Sequence, residues 1–384
     1  MLDGLLVAFG AGYLGAAAWL GAGIRRSAVR SAGAAAPAPA VSVVVAARDE
    51  EAHLGACLES LRHQDYGGDL EIVVVDDGSA DRTGQVAAEI AAGAGAPIVA
   101  LRAPDPPRYR CRKKSALAAG IAACHGELLL FTDADCRVPP AWVRSTVAAF
   151  GEGVGLVAGY ARPRFERGLR YRLLGLDNLA VAALGAGSSG MGFPLSCTGR
   201  SFAYRRAVYD EVGGFESIGH LVGGDDVYFA RLAVDRTRWR MAYNLAPEAA
   251  VESDPGPRTW WGLVHQKLRH ASKVGHFQGG ARALGGAAYL YYAFLLLGPV
   301  KAAVSGHSPA VWAGVWLSKW VADAFLLWYM GRQVCERPSL GYVPLLEACH
   351  IPYVLVFTVL GRFGWFRWKG DRPARSGPDR PPPS

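Results

Sequence analysis

The chain has no C-x-x-C pair, although it carries seven cysteines: Cys57, Cys111, Cys124, Cys136, Cys197, Cys335 and Cys349. An odd, scattered set argues against a disulfide framework or a zinc module and fits a reducing compartment. Histidines are equally dispersed. His265, His270 and His276 stand five and six residues apart, not at the i, i+4 spacing that puts two ligands on one helix face. Charge is also scarce. Charged residues are 19% of the 384 residues against 51% hydrophobic, which is apolar for a soluble enzyme and points to a partial membrane protein. The charge present leans positive, with a formal net of +8. Zinc-finger spacing and a basic heptad region are both missing. The expected partners are therefore a membrane surface and a phosphorylated substrate rather than nucleic acid.

Long apolar runs are present, and they lie at the two ends. Residues 2 to 24 are almost wholly apolar and are followed by Arg25, Arg26 and Arg30. The run is long enough to span a bilayer. Its charge follows the core instead of preceding it, so an uncleaved anchor over 1–24 is expected. The basic flank puts the chain beyond it in the cytoplasm. Residues 25–40 read as a linker, rich in small residues and Pro. Beyond residue 278, Ala283 to Val304 and Ala310 to Met330 can each span, interrupted by Lys301, Lys319 and Asp323. Such charges face protein or water rather than lipid. A third run, Val343 to Leu360, carries Glu347, His350 and Pro352. The basic stretch after it should stay inside, so this run is expected to be bent, re-entrant or interfacial, with a full third span as the alternative. The membrane region is then 279–365, with a Pro-rich, disordered tail over 366–384.

Between these ends, strands and helices alternate. Strands are predicted over 41–47, 70–75, 97–101, 128–131 and 154–160, with helices over 51–63, 81–92, 115–124 and 142–150. That rhythm gives an α/β fold with a mostly parallel, Rossmann-like sheet over 41–278. The segment 161–192 reads either as a helix on the membrane interface or as a buried one. Its G-x-G-x-x-G at Gly185 to Gly190 is not a dinucleotide fingerprint, because Pro194 lies where the following helix should run.

Chemistry collects in five ordered stretches. The central one is Thr132 to Asp135, TDAD, at the end of the apolar strand Leu128 to Phe131. Carboxyl ends of strands in open α/β sheets are where ligands bind. Asp133 and Asp135 would share one side of an extended backbone, and two hard oxygen ligands suit Mg²⁺ or Mn²⁺ with a diphosphate. For an isolated D-x-D a turn or cap is the better reading, and it is the other stretches of the chain that reverse it. The others are VSVVVAARDEE at 41–51, VVVDDGS at 73–79, RCRKKSAL at 110–117, and the Gly213 to Val227 region with GGF and GGDD. Asp225 and Asp226 begin a helix, where a capping role is the plain alternative.

In this order the stretches resemble the family 2 glycosyltransferases of the GT-A fold, in the membrane-anchored bacterial branch that includes processive synthases. The resemblance covers roughly residues 41 to 275 and implies transfer of a sugar from a nucleotide-diphosphate donor, a UDP-sugar by family habit, with inversion. It implies that Ala46, Arg48, Glu50, Asp76 and Asp77 hold base and ribose, and that Lys113 matches the Lys of G-K-x-x-A-L. It implies that Asp133 and Ala134 meet the ribose or sugar, and that Asp135 binds a divalent Mg or Mn ion. Asp226 matches the catalytic base. Gly199, Asp225 and the Q-x-x-R-W-like Gln266, Arg269 and His270 lie on the acceptor and diphosphate side. The acceptor implied is lipid-linked or a glycan, at the bacterial inner membrane.

Four departures stand out: Arg112 for Gly, Ala118 for Asn, Asp225 where Glu is usual, and His270 for Trp. Loss of the Trp puts processivity in doubt. A nucleotidyltransferase of similar fold, or a catalytically inactive membrane scaffold, are the competing readings.

Overall fold

The computed structural model describes residues 2–30, 38–93, 98–164, 167–221, 223–254, 256, 259–272, 279–305 and 309–361. The expected tail, residues 31–37 of the linker, His276 and the side chain of Lys301 lie outside the described residues. The elements run α1 (Leu2–Arg30), β1 (Val41–Ala47), α2 (Leu54–Arg62), β2 (Leu70–Asp76), α3 (Thr83–Ala92), β3 (Ile98–Arg102) and α4 (Arg112–Ala123). They continue with β4 (Leu128–Phe131), β5 (Cys136–Arg137), α5 (Trp142–Ala148), β6 (Val154–Gly159), β7 (Ala161–Pro163), α6 (Leu169–Gly190), β8 (Phe202–Arg205), α7 (Arg206–Glu211) and α8 (Val227–Arg236). The last are β9 (Arg240–Asn244), β10 (Val251–Ser253), α9 (Trp260–Ser272), α10 (Gly279–Ser305), α11 (Pro309–Gln333) and α12 (Val343–Gly361).

The chain divides into two compact units. One comprises Trp19–Pro255 with Leu326–Pro338. It is built on a seven-stranded sheet of order β3-β2-β1-β4-β8-β6-β9. All neighbours pair parallel except the two pairs that β8 makes, with β4 and β6. All four residues of β4, and nearly all of β1, are buried, as expected of parallel strands covered on both faces. A three-stranded sheet, β5-β10-β7, contributes Cys136, Ala161 and Val251 to the same hydrophobic core. This is the expected α/β architecture. The register places Ala47 beside Asp76 and Val44 beside Phe131, so β1, β2 and β4 deliver their carboxyl ends to one edge. Because β8 is antiparallel, Phe202 pairs with Phe131, and the residues entering β8 reach that same edge.

Two boundaries in this unit differ from expectation. The helix α1 does not give way to a linker at residue 25 but runs through Arg30. Gly23, Ile24 and Ser27 are buried, and the Ser27 hydroxyl donates to the Ala186 carbonyl of α6 at 2.9 Å. Packing on α6 carries the helix past its apolar stretch. The helix α4 starts at Arg112 rather than Ser115, which puts Lys113 in its first turn. Residues 176, 179, 182–183 and 185–190 of α6 are buried, so its second half takes the buried reading. Its G-x-G-x-x-G is helical, not a strand-to-helix turn.

The other unit comprises Met1–Ala18, Gly256–Phe325 and Ser339–Ser384. It takes in α9, which was expected inside the catalytic domain. Leu268 and Ala271 are buried there, and the Lys267 ammonium sits 5.5 Å from the Tyr353 ring of α12. Among the described residues of the whole chain, four helical segments are long and apolar enough to cross a membrane: Asp3–Ala28, Gly279–Val300, Pro309–Gln333 and Leu340–Gly361. In the last of these, α12 is continuous through Pro352. Pro344 lies in its first turn, where a missing N–H costs nothing.

Candidate active site

The carboxyl edge of the sheet gathers most of the expected residues. Past β1, the Ala47 carbonyl accepts from the Asp77 N–H at 2.8 Å, which ties the first two strand ends together. Asp49 adopts a left-handed φ of 52°. Its N–H donates to Ser79 Oγ at 3.0 Å, and its carboxylate accepts from the Ala80 N–H at 2.8 Å. Glu50 donates its N–H to Thr83 Oγ1 at 2.7 Å and opens α2 by accepting from Leu54 at 2.9 Å. Asp76 folds its own turn by accepting from the Ser79 N–H at 3.1 Å. Asp77, with 7% of its side chain exposed, lies 3.4 Å from Nε of Arg112. The residue standing where the family has Gly is thus an ion-pair partner of the expected base-binding acid.

The D-x-D segment leaves β4 with Asp133 and Asp135 half-buried and Ala134 buried between them. Lys113 Nζ lies 2.7 Å from Asp133 Oδ1 and 3.0 Å from Asp225 Oδ2, bridging α4, the D-x-D turn and the GGDD turn. Gly199 is where these meet. A Cβ there would lie 3.4 Å from Lys113 Nζ, 3.5 Å from Asp225 Oδ2 and 3.9 Å from Asp133 Oδ1, so any larger side chain would enter the cluster. A small pocket opens beside it, lined by Lys113, Asp133, Gly199, Tyr204 and Asp225 among others. Tyr204 is buried, and its hydroxyl has no hydrogen-bond partner among the described residues. A buried polar atom of this kind is costly unless something pairs with it.

Asp226 is one residue further on and faces differently. Its Oδ2 accepts from the Gly199 N–H at 3.1 Å and its Oδ1 from the Val227 N–H at 2.7 Å. It is the N-cap of α8, so the capping role is filled, and the pocket wall itself is Asp225. Gln266, Arg269 and His270 lie on α9, in the other unit.

The electrostatics divide the two D-x-D acids. Burial favours the neutral form of Asp133, but Lys113 and then Arg200 outweigh it and hold its carboxyl below the usual range. At Asp135, burial first, then Asp133 and Glu50, push the carboxyl up to about 6. The Cys136 thiol and Arg200 also favour the charged form there, but they do not win. Burial opposes the charge on Lys113, yet Asp133 and Asp225 keep it an ammonium, well above the usual lysine value.

Three further participants were not singled out in sequence, although Arg200 lies in the TGRSFAYRR stretch at 198–206 that the resemblance puts on the acceptor side. Arg200 donates to Thr198, Ser253 and Asn178 at 3.1, 2.8 and 3.0 Å, and only tertiary structure brings it near the acids. Cys136 Sγ lies 3.4 Å from Asp135 Oδ1, and Cys57 Sγ lies 3.6 Å from the Asp133 carbonyl. Burial, then the neighbouring carboxylates, raise both thiols, so they stay protonated donors. Among the described residues, no group of three or more His, Cys, Asp or Glu is arranged to hold a metal alone.

Comparison with known proteins agrees with this geometry. The family model "Glycosyl transferase family 2" matches residues 42–213. Residues 42–213 belong to glycosyltransferase family 2. A Bacillus subtilis protein named "Probable glycosyltransferase YdaM" is 27% identical over 61% of this chain and 54% of its own length. An undecaprenyl-phosphate 4-deoxy-4-formamido-L-arabinose transferase of Pseudomonas fluorescens is 32% identical over 45% of this chain and 49% of its own. The chain thus spans about half the length of these curated relatives. Among solved structures, a mannosyltransferase from Pyrobaculum calidifontis, in complex with GDP-Man and Mn2+, superposes with a TM-score of 0.56. It is 19% identical and covers 94% of this chain and 97% of its own. That likeness establishes the GT-A fold.

Proposed function

We propose that the protein is an inverting glycosyltransferase of the bacterial inner membrane. It moves a sugar from a nucleotide-diphosphate donor, taken as a UDP-sugar, to a hydroxyl on a lipid-linked or glycan acceptor. The catalytic unit is cytoplasmic in this reading, and the apolar helices bring it to the acceptor. The observation that carries it is the meeting of three segments, remote in sequence, at Lys113, Asp133 and Asp225. That meeting lies on the sheet edge where α/β folds bind ligands. The Pseudomonas relative's name supports a lipid-linked acceptor.

The residues also suit a divalent cation. Asp135 is a hard oxygen ligand in a surplus of negative charge, and a protein that offers one or two carboxylates commonly leaves the rest of the shell to substrate phosphates. Such an ion, when bound, offsets charge developing on the leaving diphosphate. The chain's own groups do the remainder. Lys113 supplies a preorganised cation in the pocket, and Asp76 and Asp77 hold the nucleoside. Asp226, oriented by the Gly199 and Val227 N–H groups, takes the acceptor's proton as it attacks. One base and an in-line displacement invert the anomeric centre.

Incubating membranes with a panel of nucleotide sugars and assaying the released product tests this. Release of a nucleoside diphosphate is expected. Release of pyrophosphate would mean nucleotidyl transfer, and no release from any donor would mean an inactive scaffold.

A further inference from the structure

Lys113 and Lys114 are neighbours on α4, and successive helical residues point about 100° apart. Lys113 faces the carboxylates. Lys114 faces inward and is fully buried. Its Nζ donates to the carbonyls of Ile218 at 2.5 Å and Leu221 at 3.0 Å. These carbonyls belong to the loop that leads into Gly223, Gly224, Asp225 and Asp226. The same ammonium lies 6.0 Å from the centre of the Tyr228 ring. That ring backs the turn: Gly224 has φ +71°, and a Cβ on it would fall 2.1 Å from Tyr228 Cδ2.

A methionine would fill much of this space without the cost of desolvating a charge. It could not grip two carbonyl oxygens. A buried ammonium needs such hydrogen bonds, and in forming them it fixes whatever carries the acceptors. Here they fix the loop to the helix turn that also presents Lys113.

We propose that Lys114 is a positioning residue that holds the Asp225–Asp226 turn in register with Lys113. The proposal rests on the glycosyltransferase reading for its kinetic consequence. One backbone step links two contacts: Lys113 meets Asp225 itself, and Lys114 meets the loop behind it. Releasing the second lets the carboxylates drift relative to the donor, and a misplacement of about 1 Å costs on the order of 10²-fold in rate.

The test uses the full chain in detergent micelles, comparing wild type with K114M. Expected are a kcat lowered by about 10- to 100-fold, an unchanged KM for the nucleotide sugar, and faster amide exchange over residues 216–226. Exchange in β1 and β4 should not change. A wild-type kcat overturns the proposal, and so does exchange that accelerates evenly over the unit. A K114M protein that fails to fold overturns it as well, because Lys114 would then be a core residue. If wild type releases nucleoside diphosphate from no donor, the glycosyltransferase reading fails. The exchange measurement still decides whether Lys114 holds the loop.

Discussion

Lys113 and Lys319 each bridge two carboxylates, yet their surroundings differ. Lys113, with 20% of its side chain exposed, lies between Asp133 and Asp225 at the mouth of a pocket. Lys319, on α11 in the helical unit, is fully buried. Its Nζ meets Asp323 Oδ2 at 2.6 Å and Glu347, while the Tyr13 hydroxyl donates to the other oxygen of Asp323. The rings of Tyr13 and Tyr292 close over it at 5.1 and 5.3 Å. The same charge pattern is open to a ligand in one place and sealed in the other. An open cluster can exchange partners when substrate arrives. A sealed one, joining α1, α11 and α12, acts as a polar tie between apolar helices.

The largest expected effects are on chemistry at the open site. Asp226→Asn and Asp135→Ala should each lower transfer by about 10²–10⁴-fold while the protein stays folded, as seen by initial rates and circular dichroism. Full activity in both would remove these two acids from the reaction. Lys113→Met and Lys319→Met should then separate. The first should lose most of its activity with little change in the thermal midpoint. The second leaves the buried Glu347 and the half-buried Asp323 without their cation and should lose about 3–5 kcal/mol of stability, with activity per folded molecule retained. Loss of activity without loss of stability in Lys319→Met would break the comparison. Glu347→Gln keeps an acceptor for Lys319 and should destabilise less than Lys319→Met, by the same melting assay.

The smallest effect concerns acid. Burial raises the Glu71 carboxyl, but donation from the His125 N–H, the Ser42 hydroxyl and the Gly126 N–H wins and holds it below the usual range. A depressed carboxyl adds stability above its unfolded pKa, about 4.3. That stability is lost as pH falls through the lower folded value. Glu71→Gln should therefore flatten the loss of stability below about pH 4, followed by melting across a pH series.

Much of this was legible in sequence because periodicity and strand-end chemistry are local. The buried strands β1, β2 and β4 and the acids at their ends could be read from apolar runs and the polar residues that stop them. What was not legible depends on contacts remote in the chain. The partnership of Lys319 with Glu347 spans two helices, and Arg200 reaches the acids only because β8 runs antiparallel to β4. The split between Asp225 and Asp226 turns on a single backbone step at the N-cap of α8, which a D-D pair does not reveal. The helix α1 outlasted its apolar stretch because α6 covers it, and sequence shows the stretch but not the cover.

The most direct test of the central claim, that the cluster at Lys113, Asp133 and Asp225 is a nucleotide-sugar site, is calorimetric titration of nucleoside diphosphates with and without Mn²⁺. Wild type should bind at least one of them, UDP first among them, only when the metal is present, and Asp135→Ala should abolish that binding. Binding that ignores both the metal and the Asp135 substitution, or no binding of any nucleoside diphosphate, would contradict it.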